Sequence, residues 1–429
     1  MQKVVRFVDL FAGIGGIRTG LSQALMEAGY EPKCVMTSEI KPYAIKVLQD
    51  NYEQDYIVGD ITQVRGEDIP DFDILCAGFP CQAFSSAGKR QGFADTRGTL
   101  FFEVERILKS KRPKGFILEN VEGLVTHDGG RTLNVIVTTL LELGYKIDYK
   151  VLNSYDFGVP QERKRIYIVG SLEKQPVLDG FETSHKTIGD ILESGIQTLD
   201  TPFVNCLLQH FKVEDLYGKS IKDKRGGDTN IHSWDLEIKG PVNQNQKNLL
   251  NRILKERRKK KWAGLIGIEW MDGMPLTYNQ IYSFFPHPDL QEMLDDLTQK
   301  GYLKFEYPKK RVYVTDLLGN TTSERRYDTT LPKGYNIVAG KLSFEISRVL
   351  GPNEIAPTLV AMDMQKICVS DNGGIRRLTL REGLRLFGYP ESMELNVSEK
   401  EGFDLLGNTV VVPVIKAVSN KLIKSLNLE

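Results

Sequence analysis

Four groups of residues in this chain have the types and spacing that covalent chemistry on a ring requires. Cys81 lies in the glycine-bracketed loop GFPCQAFSSAG, residues 78–88. A glycine-rich turn covers residues 11–16, Glu-Asn-Val covers 119–121, and Gln-x-Arg-x-Arg covers 161–165. A thiol, a carboxylate and two guanidinium groups supply a nucleophile, an acid or base, and fixed positive charge. Together they indicate chemistry on a nucleobase.

Cys81 is the candidate nucleophile, because a thiolate attacks carbon where a hydroxyl does not without an activating base. A free thiol has a pKa of about 8.5, so nearby backbone amides or positive charge must favour the thiolate at neutral pH. A lone cysteine can instead be a small buried apolar residue. Its neighbours Pro80 and Gln82, in this constellation, favour the nucleophile.

Glu119 follows the apolar run GFIL, so we expect it at the carboxyl end of a strand, where open α/β sheets bind ligands. Arg163 and Arg165 alternate with Glu162 and Lys164, so both can point to one face of a strand. The alternatives are a solvated glutamate and an exposed strand edge. Beside Cys81, the three side chains favour a catalytic interpretation.

The glycine-rich turn predicts a site where the backbone approaches a ligand closely. Its three glycines lie within residues 13–16, but Arg18 stands where a dinucleotide fingerprint requires glycine, which disfavours a pyrophosphate cradle. Glu39, at the end of the second strand, suits ribose hydroxyls, and Asp60 suits an adenine amino group. An adenosine site without a pyrophosphate grip indicates S-adenosylmethionine; a tight strand-to-helix turn is the structural alternative.

The first 170 residues alternate short apolar runs with amphipathic segments, which predicts a mostly parallel sheet covered by helices on both faces. We therefore expect an α/β, Rossmann-like fold. Apolar spacing within residues 133–143 predicts a crossover helix that ends before Gly144. The predicted strands cover residues 4–10, 33–39, 74–77, 115–119, 145–152 and 165–170.

The alternation stops after Gly170, which indicates a second domain. We predict a catalytic and cofactor-binding domain over residues 1–175, completed by the C-terminal segment 404–429, and a smaller domain over 176–403. Residues 276–314 have the pattern helix, turn, helix, ribbon, which is typical of a winged helix or of a merely structural helix and hairpin. Four apolar residues of its second helix would face inward: Leu290, Met293, Leu294 and Leu297.

Composition narrows the class of protein. The 429 residues carry a formal net charge of zero, but six of the seven residues 255–261 are basic. That run is either a solvated helix face or a contact for phosphates. The five cysteines are scattered and form no CxxC pair, so neither a metal site nor a disulfide framework is expected. The sequence has no long apolar run or signal-like start, so we expect a cytoplasmic protein with no membrane partner.

The chain resembles the DNA (cytosine-5)-methyltransferase family of bacterial restriction-modification systems. The resemblance rests on DLFAGIGG, GFPCQAFSSAGKRQGFADTRGTLFF, ENVEGL, QERKRIYIVG, RRLTLREGLRLFGYPES and GNTVVVPVI, which occur in the family's order. They span nearly the whole chain. The segment from about 175 to 350 matches only by position, as the family's variable target-recognition region, so the second domain is expected to recognise the target.

The resemblance implies transfer of a methyl group from S-adenosylmethionine to carbon 5 of a cytosine flipped out of double-stranded DNA. Cys81 would add to carbon 6, Glu119 would contact ring nitrogen 3, and Arg163 and Arg165 would contact the base or brace the loop. The segment of residues 85–99 would close over DNA. The positions that match the family's DNA contacts are Gln82, Ser85, Lys89, Arg90 and Arg97.

The family's cofactor pocket also maps onto this chain. Ile40 departs from the tryptophan often found there, so stacking on adenine would be weaker or come from elsewhere. No metal is implied. The matching positions are Phe11, Gly13, Ile14, Gly15, Gly16, Glu39, Ile40, Asp60, Ile61, Pro80, Leu100, Asn408 and Val410.

The resemblance also implies partners for the protein, and two alternative functions remain to be tested. It implies a monomer near the bacterial nucleoid, with a cognate restriction endonuclease acting separately. A tRNA cytosine-5 methyltransferase shares the catalytic motifs, and methyl transfer to tRNA alone would identify it. A non-catalytic DNA-binding regulator could keep the fold, but it has no need for Cys81 together with Glu119, Arg163 and Arg165.

Overall fold

The computed structural model describes residues 2–52, 56–79, 100–223, 229–269, 273–315, 321–338, 344–361 and 364–428. The chain divides into two compact units. One comprises Met1–Gln197, Leu350–Val369 and Arg376–Glu429, and the other Thr198–Val349 and Ser370–Ile375. The first unit thus includes segments that the predicted boundaries at 175 and 404 group with the second domain. The apolar residues of those segments, such as Leu359 and Phe387, are buried in the core of the first unit.

The first unit contains a seven-stranded sheet. Its strands are Lys3–Leu10 (β1), Tyr30–Ser38 (β2), Ile57–Val58 (β3), Ile74–Ala77 (β4), Gly115–Val121 (β5), Lys146–Asn153 (β6) and Lys164–Ser171 (β7). The order is β3-β2-β1-β4-β5-β7-β6, and β7 is antiparallel to both of its neighbours while the other pairs are parallel. The predicted α/β fold with a mostly parallel sheet is confirmed. The six predicted strands are present, and β3 was missed because two residues show no alternation.

Helices cover both faces of this sheet. The first four are Gly16–Glu27 (α1), Pro42–Asn51 (α2), Leu100–Lys111 (α3) and Arg131–Glu142 (α4). Leu21 and Val47, on α1 and α2, belong to one core cluster. Val104 and Ile136, on α3 and α4, belong to another. The predicted crossover helix is α4, which ends two residues before Gly144.

The second unit combines short helices with small two-stranded sheets, of which one is parallel and two are antiparallel in the described residues. Its helices are Pro202–His210 (α5), Gln244–Glu256 (α6), Lys261–Leu265 (α7), Tyr278–Tyr282 (α8) and Leu290–Gln299 (α9). Its strands are Ser220–Ile221 (β8), Asn230–Ile231 (β9), Leu303–Glu306 (β10), Lys309–Thr315 (β11), Thr321–Tyr327 (β12) and Gly334–Ile337 (β13). Strand β10 pairs with β13, and β11 pairs with β12. The four residues expected to face inward from α9 are buried, as their spacing predicts.

The described residues from 348 onward form three further strands and three further α-helices. These are Arg348–Leu350 (β14), Ile367–Asp371 (β15), Gly374–Arg377 (β16), Leu380–Leu386 (α10), Glu399–Asn408 (α11) and Val412–Ile423 (α12). The last helix packs closely on α1, because a Cβ atom on Gly20 would lie 2.6 Å from Cβ of Ile415. The C-terminal helix therefore returns to the first unit, as the sequence predicts.

The segment Glu399–Ile423 is long and apolar enough to pass a composition test for a membrane span. It consists of α11 and α12, which residues 409–411 separate. Within its most apolar window, 72% is buried inside the protein. The test is therefore met by two core helices.

Candidate active site

Three strands of the first unit bring candidate residues to one edge of the sheet. Glu119 lies near the carboxyl end of β5 and pairs with Tyr167 of the antiparallel β7. Arg165, two residues before Tyr167, lies on the same face as Glu119 because side chains alternate along a strand. The parallel strand β4 ends beside β5, and a Cβ atom on Gly78 would lie 3.7 Å from Oε2 of Glu119. The glutamate, one arginine and the start of the Cys81 loop therefore meet.

Glu119 forms a largely buried ion pair with Arg165. Nε of Arg165 lies 3.2 Å from Oε1 of Glu119, and both side chains are less than 15% exposed. Burial raises the pKa of the Glu119 carboxyl, and the positive charges of Arg165 and Arg163 offset only part of that rise. The site therefore holds a carboxyl group that gains a proton more readily than an ordinary glutamate.

Arg163 has a different environment from Arg165. Its Nη1 donates to the carbonyl of Leu359 (2.9 Å), and its Nη2 donates to the carbonyls of Thr409 (2.9 Å) and Gly407 (3.4 Å). Burial lowers the pKa of Arg163 to about 9, which leaves the guanidinium protonated at neutral pH. The motif therefore contributes one arginine to the carboxylate and one to the backbone that leads into α12.

Asn120 ties the start of the Cys81 loop to the sheet. The side-chain Nδ2 of Asn120 donates to the carbonyl of Phe79 (3.2 Å), and its Oδ1 accepts from the amide of Val121 (2.8 Å). Asn120 is buried between these two partners. Its side chain therefore supports the start of the loop.

Several predicted residues lie outside the described part of the chain. They are Pro80, Cys81, Gln82, Ser85, Lys89, Arg90 and Arg97. Of the cysteines that the structure describes, Cys76 is the nearest in sequence to Cys81. It is buried within β4, and burial raises the pKa of its thiol. Cys76 is therefore a poor nucleophile.

The glycine-rich turn presents one open glycine and two packed ones. Gly13 has φ +57°, and a Cβ atom there would meet no described atom within 4 Å. At Gly15 a Cβ atom would lie 2.8 Å from Oη of Tyr52, and at Gly16 it would lie 2.7 Å from Cγ2 of Val410. The backbone at Gly13 is thus the part of the turn that a ligand can approach. Val410 packs directly against the turn.

Glu39 organises the edge of the proposed cofactor site. Its Oε2 accepts from the amide of Gly13 (2.7 Å), and its Oε1 accepts from the amides of Ile40 (2.8 Å) and Lys41 (2.9 Å). A carboxylate has about four acceptor positions, so it can accept a further hydroxyl. Ile40 is 68% exposed although it is apolar, which leaves a surface for a ring.

The remaining candidate cofactor-binding residues differ in their exposure to solvent. Asp60 is exposed, and its Oδ1 accepts from the amide of Thr62 (2.9 Å). Phe11 and Leu100 are half-buried. Ile14 and Ile61 are buried, so the structure brings no surface of either to the site.

Asn408 lies at the end of α11, close in sequence to Val410, and is held by its own helix. Its Nδ2 donates to the carbonyl of Asp404 (2.8 Å). Asp404 in turn accepts from Nζ of Lys41 (2.8 Å) and from Oη of Tyr43 (2.6 Å). This cluster anchors α11 to the edge that carries Glu39. Sequence reasoning missed it, because its partners are more than 360 residues apart and carry no local signal.

Comparisons with a family profile and with individual proteins agree with each other. The sequence profile of the C-5 cytosine-specific DNA methylase family matches residues 5–424. The chain is 59% identical to the Type II methyltransferase M.NlaIV of Neisseria lactamica, with 99% of this chain and all of that protein covered. It is 58% identical to the Type II methyltransferase M.NgoBV of Neisseria gonorrhoeae, over 99% of this chain and 100% of the relative.

Solved structures with the same fold are more distant in sequence. The Entamoeba histolytica methyltransferase EhMeth has a TM-score of 0.55 at 15% identity, with 99% of each chain covered. A mutant of Spodoptera frugiperda DNMT2 has a TM-score of 0.51 at 16% identity, with 98% of this chain and 99% of that chain covered. These matches support the fold.

Proposed function

This chain belongs to the C-5 cytosine-specific DNA methylase family, and from that premise we propose that it methylates cytosine in duplex DNA through a covalent adduct of Cys81. The supporting observation is the buried pair of Glu119 and Arg165 beside Gly78, where the Cys81 loop begins. A protonatable carboxyl with a fixed cation suits a base whose ring nitrogen gains a proton.

The proposed reaction requires the base to leave the helix. Carbon 6 of cytosine is inaccessible inside stacked duplex, and extrusion costs a few kcal/mol. The Sγ thiolate of Cys81 then forms a bond to carbon 6, and the displaced electrons reach nitrogen 3, which takes the proton of Glu119. Carbon 5 becomes nucleophilic as a result.

After methylation the residues act in reverse. Carbon 5 loses its proton to solvent or a base, the bond between Sγ and carbon 6 breaks, and Glu119 recovers its proton from nitrogen 3. Arg165 orients the carboxyl throughout, and Asn120 fixes the loop through the carbonyl of Phe79. The product is 5-methylcytosine, and Cys81 returns as a thiolate.

S-adenosylmethionine fits the open edge beside Gly13, and when bound it would supply an electrophilic methyl group. Gly13 has room for close approach, Glu39 has acceptor capacity for a ribose hydroxyl, and the exposed Ile40 offers an apolar surface for adenine. Asp60 is exposed and can accept from the exocyclic amine. Pro80, outside the described residues, is the further residue that we propose for this cofactor site.

The names of the relatives support a proposal for the biological setting. Both Neisseria relatives are named Type II methyltransferases, which supports a role in restriction-modification with a separate endonuclease. We propose a monomer in the bacterial cytoplasm, associated with the nucleoid through its substrate. The segment of residues 85–99 would close over DNA, and Gln82, Ser85, Lys89, Arg90 and Arg97 would contact it.

The decisive experiment measures methyl transfer from labelled S-adenosylmethionine to duplex DNA and to tRNA. We expect transfer to DNA, and bisulfite sequencing of DNA from an expressing host should give the modified base and its context. Transfer to tRNA alone would replace the proposal with the tRNA enzyme, and no transfer to either would favour a non-catalytic regulator.

The nucleophile has its own test. Cys81→Ser should abolish turnover and keep the Kd for S-adenosylmethionine within a few-fold. In the presence of S-adenosylmethionine, duplex DNA with 5-fluorocytosine at the target should trap the wild-type protein covalently, because after methylation fluorine cannot leave carbon 5 as a proton does. Normal turnover by Cys81→Ser, or trapping of that variant, would refute the assignment.

A further inference from the structure

The second unit carries a basic two-stranded ribbon that the proposed reaction does not use. The ribbon consists of β11 and β12, and these strands pair only with each other in the described part of the chain. Every side chain that the structure describes in them is exposed or half-buried. An isolated two-stranded ribbon is marginally stable in water, so this exposure favours an external partner.

The ribbon projects from a compact helical core. The chain passes through α6, the bridge from Leu276 to Tyr335, α8, α9, β10, the ribbon and β13. Leu276 and Tyr335 exchange backbone hydrogen bonds of 2.9 and 2.7 Å, so residue 276 forms a one-residue antiparallel bridge to β13, which also pairs with β10. This is the order of a winged helix, and the ribbon is its wing. The predicted winged-helix region 276–314 covers only part of this assembly.

One face of the ribbon combines positive charge with aromatic rings. Alternation along the strands places Lys309, Arg311, Tyr313, Arg325 and Tyr327 on the same face. Tyr313 is 65% exposed. The ribbon as a whole carries five basic side chains and one acidic side chain. A basic and aromatic face of this kind complements a polyanion with stacked rings.

Cross-strand pairing on this face is unfavourable without a partner. Arg311 lies directly opposite Arg325, and like charges in that position destabilise a ribbon. Arg311 has an acidic partner in Glu269, at 3.6 Å between Nη1 and Oε1. On the opposite face Lys310 lies directly across from Arg326, but each has an acidic partner: Arg326 lies 2.9 Å from Glu324, and Lys310 lies 3.2 Å from Asp328. The first face therefore holds the less compensated charge.

The other candidates for DNA contact in this unit are weaker. In a helix-turn-helix the second helix enters the groove, but α9 exposes Glu292 and Asp295, which repel phosphates. In the basic run 255–261, the buried Glu256 lies 2.6 Å from Nζ of Lys259 and 3.7 Å from Nζ of Lys261. Arg257 is buried and donates to Oδ1 of Asn336 (2.7 Å). Internal partners thus hold much of that run.

The dimensions of the ribbon suit a groove. Seven residues per strand at about 3.4 Å each give a length of about 24 Å. The major groove is about 12 Å wide and 8.5 Å deep and admits a two-stranded ribbon. Arginine is the side chain that most often reads guanine there, through paired hydrogen bonds.

We propose that the β11–β12 ribbon enters the major groove of the target duplex and reads base edges through the face that carries Arg311, Tyr313 and Arg325. This inference rests on the proposed function, because it assumes a duplex DNA substrate. It assigns sequence specificity to the wing and not to α9 or to the basic run.

Arg325→Gln is the sharpest variant, and Arg326→Gln is its matched control. The two residues are adjacent and exposed, and each substitution removes one positive charge, but they lie on opposite faces. Binding of the full-length variants to the methylation target and to an unrelated duplex should be measured by fluorescence anisotropy. Equal thermal unfolding temperatures confirm that both variants fold.

Arg325→Gln should weaken binding to the target by about 10-fold to 100-fold, the range of one bidentate base contact, and should affect the unrelated duplex far less. Bisulfite sequencing should then show methylation at relaxed sites. Arg326→Gln should change both affinities by less than about 3-fold, as expected for a surface charge.

An equal loss on both duplexes, or equal effects of the two variants, would overturn the assignment, and so would tighter binding of an RNA duplex. Failure of the underlying proposal is a separate result, since wild-type protein would then methylate no DNA. If the wild-type protein methylates DNA and Arg325→Gln keeps the same specificity, only the proposal that the ribbon reads base edges is rejected.

Discussion

Replacing each arginine of the Gln-x-Arg-x-Arg motif by methionine should separate a structural role from a chemical one. Arg163→Met keeps an apolar stem but removes the donors to the carbonyls of Leu359, Gly407 and Thr409. Leaving a buried acceptor unpaired costs about 1 kcal/mol or more, so the loss should reach about 3 kcal/mol. Arg165→Met should cost about 1 kcal/mol, because Glu119 can take up a proton when its partner is lost.

Hydrogen exchange measured by mass spectrometry checks this difference locally. A loss of about 3 kcal/mol corresponds to about 100-fold faster exchange, and it should appear in peptides covering residues 405–411. Arg165→Met should leave exchange there within a few-fold and still lower methyl transfer. Equal protection in the two variants, or an inactive Arg163→Met with unchanged exchange, would refute the division of roles.

Three further outcomes follow from the site. The kcat/KM for methylation should fall as pH rises through the raised pKa of Glu119. In Arg165→Met this fall should occur at higher pH, because the substitution removes a charge that lowers the pKa of Glu119. A fall at the same pH in both proteins would contradict the pairing of Glu119 with Arg165. Gly13→Ala should raise the Kd for S-adenosylmethionine about 10-fold by calorimetry, whereas Gly29→Ala, with a similar backbone cost of about 1 kcal/mol, should not. Asn120→Ala should lower kcat about 10-fold with little change in KM for cofactor, and an equal rise in KM would argue against a loop-positioning role.

The protonation of Glu119 also sets the sign of a stability effect. Its folded pKa is raised, so the native state binds this proton more tightly than the unfolded chain does. The associated stability is fully present below the unfolded pKa and is lost as pH rises through the folded pKa. This is opposite to the usual behaviour of a salt-bridged carboxylate, and Glu119→Gln should remove it.

The local sequence pattern was sufficient to predict the positions of residues that one strand or one turn holds in place. The apolar run before Glu119 predicted its place at a strand end, and alternation predicted that Arg163 and Arg165 point to one face of a strand. The glycine spacing predicted the turn at Gly13, whose backbone is open. In each case the geometry depends on neighbours within about ten residues, which periodicity and backbone preference describe.

Contacts between distant segments were beyond that reasoning. Alternation placed Arg163 beside Arg165, but its guanidinium binds carbonyls about 200 to 245 residues later in the chain. Asp404 meets Lys41 across a longer gap of 363 residues. Any exposed arginine or aspartate could have produced the same sequence pattern, so only tertiary packing distinguishes a catalytic cation from one that braces the backbone.

The net charge was equally uninformative about DNA binding, because acidic and basic residues are concentrated in different secondary-structure elements. The formal charge of zero combines an acidic α9 with a basic ribbon in the same unit. A groove-reading ribbon needs only a local positive field, since screening limits exposed charges to about 10 Å at moderate salt. Acidic surface elsewhere then limits binding to unrelated DNA, because non-specific affinity depends on the number of phosphates neutralised. A neutral protein with a short basic ribbon should therefore show a shallow dependence of affinity on salt and take most of its specificity from base contacts.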